Sequence, residues 1–229
     1  MIVKRVLIMT VILSKFGVVS QLDIFNNNDT SHSQQISRPS LVVVDNGEYN
    51  YLQKFFSKSD SDNYFKMLRE HVLWKQESMN MYGKKINFPR LTSWYGDSDK
   101  PYSFSGITLQ PHPWNKEILE IKLRIELIAN VTFNSVLLNL YRSGNDSISW
   151  HTDAEPELGK NPVIASVNFG ETRKFQLKHI KTGERREIEL EHGSLLIMQG
   201  ELQHFWQHQV PKTSKVIGER INLTFRVIK

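Results

Sequence analysis

Hydrophobic and polar positions follow two rhythms along this chain. From Ser135 onward the apolar runs are short: Ser135–Tyr141, Val163–Phe169, Arg173–Leu177, Arg186–Leu190, Ser194–Met198 and Ile221–Val227, separated by Gly, Pro, Asn and charged residues. Runs of this length and spacing predict the strands of a β-sandwich or jelly roll. Upstream, Tyr49–Phe56 and Ser59–Val72 carry apolar residues at helical intervals, with Ser59 or Asp60 as a cap. Asn115–Ile128 repeats the helical pattern through Leu119, Ile121, Leu123 and Leu127. Leu41–Val44 reads as the strand that opens the folded part. Residues 79–113, rich in Gly, Pro and aromatics, read as a long ordered loop region with short strands, and residues 26–40 as a polar, turn-rich arm. The expected organisation is an N-terminal extension over residues 1–40 and one α+β, mainly β domain over 41–229, with helices packed on a β-core formed by about 135–229.

Within the strands, polar residues sit where a buried face would lie. In Arg220-Ile-Asn-Leu-Thr-Phe-Arg226, period-2 alternation places Arg220, Asn222, Thr224 and Arg226 on one face and the apolar residues on the other. Asn139 and Tyr141 share a face within the apolar run Ser135–Tyr141. Two such strands suggest a polar barrel interior, and buried arginines need anionic partners that match their planar fork. His151 and Asp153, two apart, can face one metal from a strand. Two imidazoles and one carboxylate suit non-haem Fe(II) with open coordination positions. A distant histidine completes that set, and His208 and His204 both qualify by position. A dicarboxylate beside such an iron is what a 2-oxoglutarate-dependent oxygenase requires.

Composition narrows the classes. The 229 residues are 39% hydrophobic and 23% charged, as in a soluble globular protein. The net charge of +5 is compatible with a nucleic-acid partner. The chain has no cysteine, which excludes disulfides and Cys-ligated zinc or iron–sulfur centres. Met1–Ser20 has the outline of a secretory signal, with Lys4 and Arg5 before Val6–Leu13, but Lys15 interrupts it and the apolar run is too short to span a bilayer. It reads as a nonessential extension of a cytoplasmic protein, with secretion the minor alternative.

Several segments together resemble the AlkB-type Fe(II)/2-oxoglutarate dioxygenases, the nucleic-acid dealkylation-repair family, nearest to its duplex-DNA repair member and bacterial relatives. They are Tyr102-Ser-Phe-Ser-Gly106, Leu138-Asn-Leu-Tyr141, His151-Thr-Asp153, Ala165-Ser-Val-Asn-Phe-Gly170, His192-Gly-Ser-Leu-Leu196 and Arg220-Ile-Asn-Leu-Thr-Phe-Arg226. The resemblance implies a double-stranded β-helix with a nucleotide-recognition lid over about 79–113. It implies His151, Asp153 and His208, rather than His204, as iron ligands, and Asn139, Tyr141, Arg220, Asn222 and Arg226 around 2-oxoglutarate. O2 is the other co-substrate, and the implied reaction is demethylation of N1-methyladenine and N3-methylcytosine in DNA, releasing formaldehyde and succinate. RNA or single strands are the near alternative, and a catalytically inactive reader the distant one. Phe104, Tyr102 and Ser105 are implied at the flipped base, with Glu155 near its exocyclic amine. Tyr82 is implied as a finger entering the vacated stack, and Lys84, Lys85 and Arg90 as phosphate contacts. After Pro211 the run Lys212-Thr-Ser-Lys215 carries fewer charges than the duplex-repair pattern. A monomer is expected.

Overall fold

The computed structural model describes residues 40–81, 83–98, 102–104 and 107–229. A larger antiparallel sheet runs in the order β1 (Ser40–Val44), β2 (Gly47–Leu52), β13 (Ser194–Gln199), β10 (Ile164–Gly170), β15 (Arg220–Arg226), β8 (Ser135–Tyr141) and β5 (Leu91–Gly96). A smaller sheet runs β12 (Arg185–Leu190), β11 (Arg173–His179), β14 (Trp206–Val210) and β9 (Ile148–His151). From β8 to β15 the chain passes back and forth between these two sheets, which is the expected double-stranded β-helix. Two hairpins lie outside them: β3 (Ser78–Met81) with β4 (Lys84–Asn87), and β6 (Tyr102–Phe104) with β7 (Ile107–Leu109).

Alternation assigns the two faces of the larger sheet. Val136, Leu138, Leu140, Val167, Ile221, Leu223 and Phe225 point to one side and pack on helices α1 (Lys58–His71) and α2 (Lys116–Ala129). Residues of opposite parity point toward the smaller sheet, where Tyr141, Ile164, Phe175, Leu177, Leu196, Met198 and Trp206 form a second core. Register carries polar residues into this second interior in rows, with Asn222 opposite both Asn168 and Asn139, and Arg220 opposite Tyr141.

Two local expectations are corrected. Tyr49–Phe56 does not form a helix: its first half is β2, paired from Glu48 to Leu52 with β13. Sheet pairing here outweighs an ambiguous short apolar run. The cap of α1 is Ser57, whose hydroxyl accepts from the Asp60 N–H at 3.0 Å. Helix α2 buries Ile118, Ile121 and Ile125 and turns Leu119, Leu123 and Leu127 outward, because the β-branched stripe, not the leucine stripe, faces the sheet. Among the described residues no helix is long and apolar enough to cross a membrane.

Candidate metal centre and co-substrate cavity

Strand β9 ends at His151, which lies directly opposite His208 of β14. The two rings approach to 4.2 Å between centroids. Asp153 follows two residues beyond the strand end rather than within it, yet its Oδ1 lies 4.0 Å from His151 Nε2. Ligand atoms of His151, Asp153 and His208 all fall within 4.8 Å of one another. His204 is elsewhere, its Nε2 accepting from the Asn161 N–H at 3.5 Å. His151 Nδ1 lies 2.8 Å from the Ser149 carbonyl, a contact that places a proton on Nδ1 and leaves Nε2 as an electron-pair donor.

The electrostatics favour the ligand form of each group. Burial alone would raise the Asp153 carboxyl. Arg226, whose Nη2 donates to Asp153 Oδ2 at 2.9 Å, overrides it with the two imidazoles and brings it down to about 2. Burial and the neighbouring His151 push His208 down to about 3, so its imidazole is neutral at pH 7. His208 Nδ1 is buried without a hydrogen-bond partner. An anionic carboxylate, the neutral His208 imidazole and the Nε2 of His151 fit a divalent metal of the Fe(II) type.

Beside this cluster the cavity is lined by Asn139, Tyr141, Arg220, Asn222, Thr224 and Arg226. Arg220 is 1% exposed. Its Nη2 donates to Asn168 Oδ1 at 2.6 Å and its guanidinium carbon lies 4.9 Å from the Tyr141 ring centroid, while Nε and Nη1 are buried with no partner. A buried guanidinium with open donors calls for an anion, and a carboxylate matches its fork. Asn222 behaves differently: its amide nitrogen donates into β10, at 2.8 Å to Ser166 Oγ and 3.1 Å to Asn168 Oδ1, and its oxygen accepts from Thr224. Asn222 thus braces Asn168, which in turn holds Arg220.

Arg90 is not a surface cation. It is 4% exposed, and its Nε donates to Asn139 Oδ1 at 2.7 Å. Pro89-Arg90 precedes β5 with no periodic signal that would reveal burial. A cleft of about 430 Å³ opens next to His151, lined by Met79, Ile86, Phe88, Arg90, Trp150 and Glu155. That volume is in the range of small-molecule pockets. Glu155 Oε2 is buried in it without a partner. Lys84 and Lys85 are exposed on β4. Tyr82 and Ser105 lie outside the described residues. Of Tyr102 and Phe104 the backbone is described, paired in register with Leu109 and Ile107.

Residues 48–226 match the 2OG-Fe(II) oxygenase superfamily. The chain belongs to that superfamily. Within it the chain is of AlkB type. It is 42% identical over 184 residues to the alpha-ketoglutarate-dependent dioxygenase alkB homolog 3 of Homo sapiens, covering 76% of this chain and 64% of that protein. It is 38% identical to the DNA oxidative demethylase ALKBH2 of Homo sapiens, covering 76% of this chain and 70% of that protein, and 36% identical to that of Mus musculus, covering 76% and 77%. The solved structure of OsALKBH1 shares the fold at a TM-score of 0.57 and 18% identity, covering 82% of this chain and 98% of that one. The match thus spans a little under two thirds of the alkB homolog 3 proteins.

Proposed function

We propose that this chain oxidatively demethylates N-alkylated bases in DNA, N1-methyladenine and N3-methylcytosine, using Fe(II), 2-oxoglutarate and O2. The observation that carries the reading is the His151, Asp153 and His208 cluster beside the buried, partly unpartnered Arg220. The names of the alkB homolog 3 and ALKBH2 relatives support the same class of reaction. Residues 41–229 are the catalytic domain in this reading.

Bound iron would supply the oxidation of the N-alkyl group with O2, coupled to decarboxylation of 2-oxoglutarate to succinate and followed by loss of formaldehyde. The protein's own residues bind, orient and exclude water. His151 Nε2, Asp153 and His208 hold the metal. Arg220 takes a co-substrate carboxylate against Tyr141, and Arg226 joins the co-substrate side to the metal side through Asp153. Asn139 is oriented by Arg90, and Asn222 acts through Asn168. The cleft beside His151 receives the base, with Glu155 at its polar edge and Tyr102, Phe104, Ser105 and Tyr82 as the aromatic and polar contacts that extrude and stack it. The chain acts as a monomer in the cytoplasm.

Formaldehyde release tests this reading. Matched oligonucleotides carrying one N1-methyladenine, as single- and double-stranded DNA and as single-stranded RNA, are incubated with Fe(II), 2-oxoglutarate and ascorbate. Turnover on DNA is expected. Preference for RNA would move the substrate class, and no formaldehyde from any oligonucleotide, with iron and 2-oxoglutarate bound, would overturn the proposed reaction.

A further inference from the structure

Asp153 presents a problem of backbone chemistry. Strand β9 stops at His151, so the ladder with β14 ends at the His151–His208 pair. Continued by one more rung of the same register, it would set Asp153 against Trp206, but no pair forms there: β14 begins at Trp206, which closes the short helix α3 (Leu202–Phe205). The Asp153 N–H is buried and has no strand to pair with. A buried backbone donor left without an acceptor is strongly disfavoured.

A side chain takes the strand's place. The Asp153 N–H donates to Gln203 Oε1 at 2.9 Å. Gln203 is 1% exposed, and among the described residues its amide nitrogen has Met198 Sδ as its hydrogen-bond partner, at 3.7 Å. Sulfur is a weak acceptor, so the bond to Asp153 is the strong one and sets the amide's orientation. The helix that carries Gln203 is itself anchored. A Cβ at Gly47 would lie 2.8 Å from Leu202 Cα, so the β2 backbone lies directly against α3. Trp206 Nε1 donates to the Asp45 carbonyl and the Ile180 N–H to the Phe205 carbonyl, each at 2.8 Å. Five residues after Gln203 comes His208.

We propose that Gln203 is a positioning residue for the metal centre: its side-chain carbonyl replaces the missing ladder partner and fixes the Asp153 backbone relative to His208. The run from Gln203 to His208 then places two of the three ligands from one anchored element. Arg226 holds the Asp153 carboxylate from the other side, at 2.9 Å. This rests on reading His151, Asp153 and His208 as metal ligands. Partners that orient ligands in this way typically contribute about 10–100-fold to metal affinity.

The test compares the unaltered protein with Gln203→Leu, which keeps bulk and loses the acceptor, and Gln203→Glu, which keeps an acceptor. Two readouts are needed: hydrogen exchange at the Asp153 amide in metal-free protein, and affinity for Mn(II) alone as a redox-inert stand-in. Gln203→Leu should speed exchange at Asp153 at least about 10-fold and weaken Mn(II) binding about 10–100-fold. Gln203→Glu should restore slow exchange. An unprotected Asp153 amide in the unaltered protein overturns the proposal even if Gln203→Leu fails to fold. Unchanged Mn(II) affinity in Gln203→Leu overturns it alone, whereas no Mn(II) binding by the unaltered protein overturns the metal reading as well.

Discussion

Replacing Arg220 with methionine should separate stability from co-substrate binding. Burial pushes the Arg220 guanidinium well below its ordinary value, down to about 10, against the opposing pull of Tyr141. At about 1.4 kcal/mol per pH unit, that is a penalty of roughly 3 kcal/mol on the charged form in the ligand-free protein. Arg220→Met removes the penalty and loses the charged hydrogen bond to Asn168, of about 1.5–3 kcal/mol, together with the guanidinium's contact with Tyr141. Asn168 Oδ1 is not orphaned, because Asn222 Nδ2 also donates to it at 3.1 Å. The two contributions nearly cancel, so ligand-free stability should change by less than about 1.5 kcal/mol, or under about 6 °C in midpoint. Co-substrate binding should not survive, since removing one partner of a buried charge pair costs about 3–5 kcal/mol, a loss of at least about 100-fold. Thermal unfolding of metal-free protein, then of protein with Mn(II) and rising 2-oxoglutarate, measures both. A midpoint lowered by more than about 10 °C with the 2-oxoglutarate response intact would refute the reasoning, because Arg220 would then be a structural charge.

Asp153→Ala should abolish 2-oxoglutarate turnover and leave oligonucleotide affinity within about 2-fold, since Asp153 does not line the cleft proposed for the base; unchanged demethylation would remove Asp153 from the proposed ligand set. The metal-free protein should lose stability as pH falls from 6.5 toward 3. His208 is depressed to about 3, so the unfolded chain takes up a proton there that the folded one refuses, and the contribution is whole above 6.5. The carboxyl of Asp153, depressed to about 2, adds a further loss below its ordinary 3.8. Urea unfolding at pH 7.5, 6 and 5 should show a slope that His208→Gln flattens, and equal slopes would contradict the assignment. Gly144→Ala should destabilise by about 1–3 kcal/mol, because the new Cβ would lie 2.5 Å from the Thr213 carbonyl oxygen; an unchanged melting midpoint would mean that the loop yields freely.

What the sequence disclosed and what it hid divide along one physical line. Alternation is local, so strands buried on both faces were legible: Ser135–Tyr141 is β8 to the residue, and the parity of Arg220, Asn222, Thr224 and Arg226 is the observed inward face. The direction of a helix stripe is not local. Leucines 119, 123 and 127 are as apolar as the isoleucines that α2 buries, and only the position of the sheet decides between them. The strand character of β2 is only partly local: it forms a hairpin with β1, and its other edge pairs with β13, over a hundred positions away. Site residues followed suit. Those carrying charge in an alternating strand announced themselves, while Gln203 and Arg90 act through a few hydrogen bonds to distant backbone or side chains and carry no periodic mark. His151 and Asp153 were paired by strand geometry, but the strand ends between them. What keeps the pair together is a glutamine from another element. Of the proposed ligands His151 and His208 lie in strands and Asp153 just beyond one, so alternation brings them near each other, and what fixes their convergence lies in residues whose contacts appear only after the chain has closed on itself.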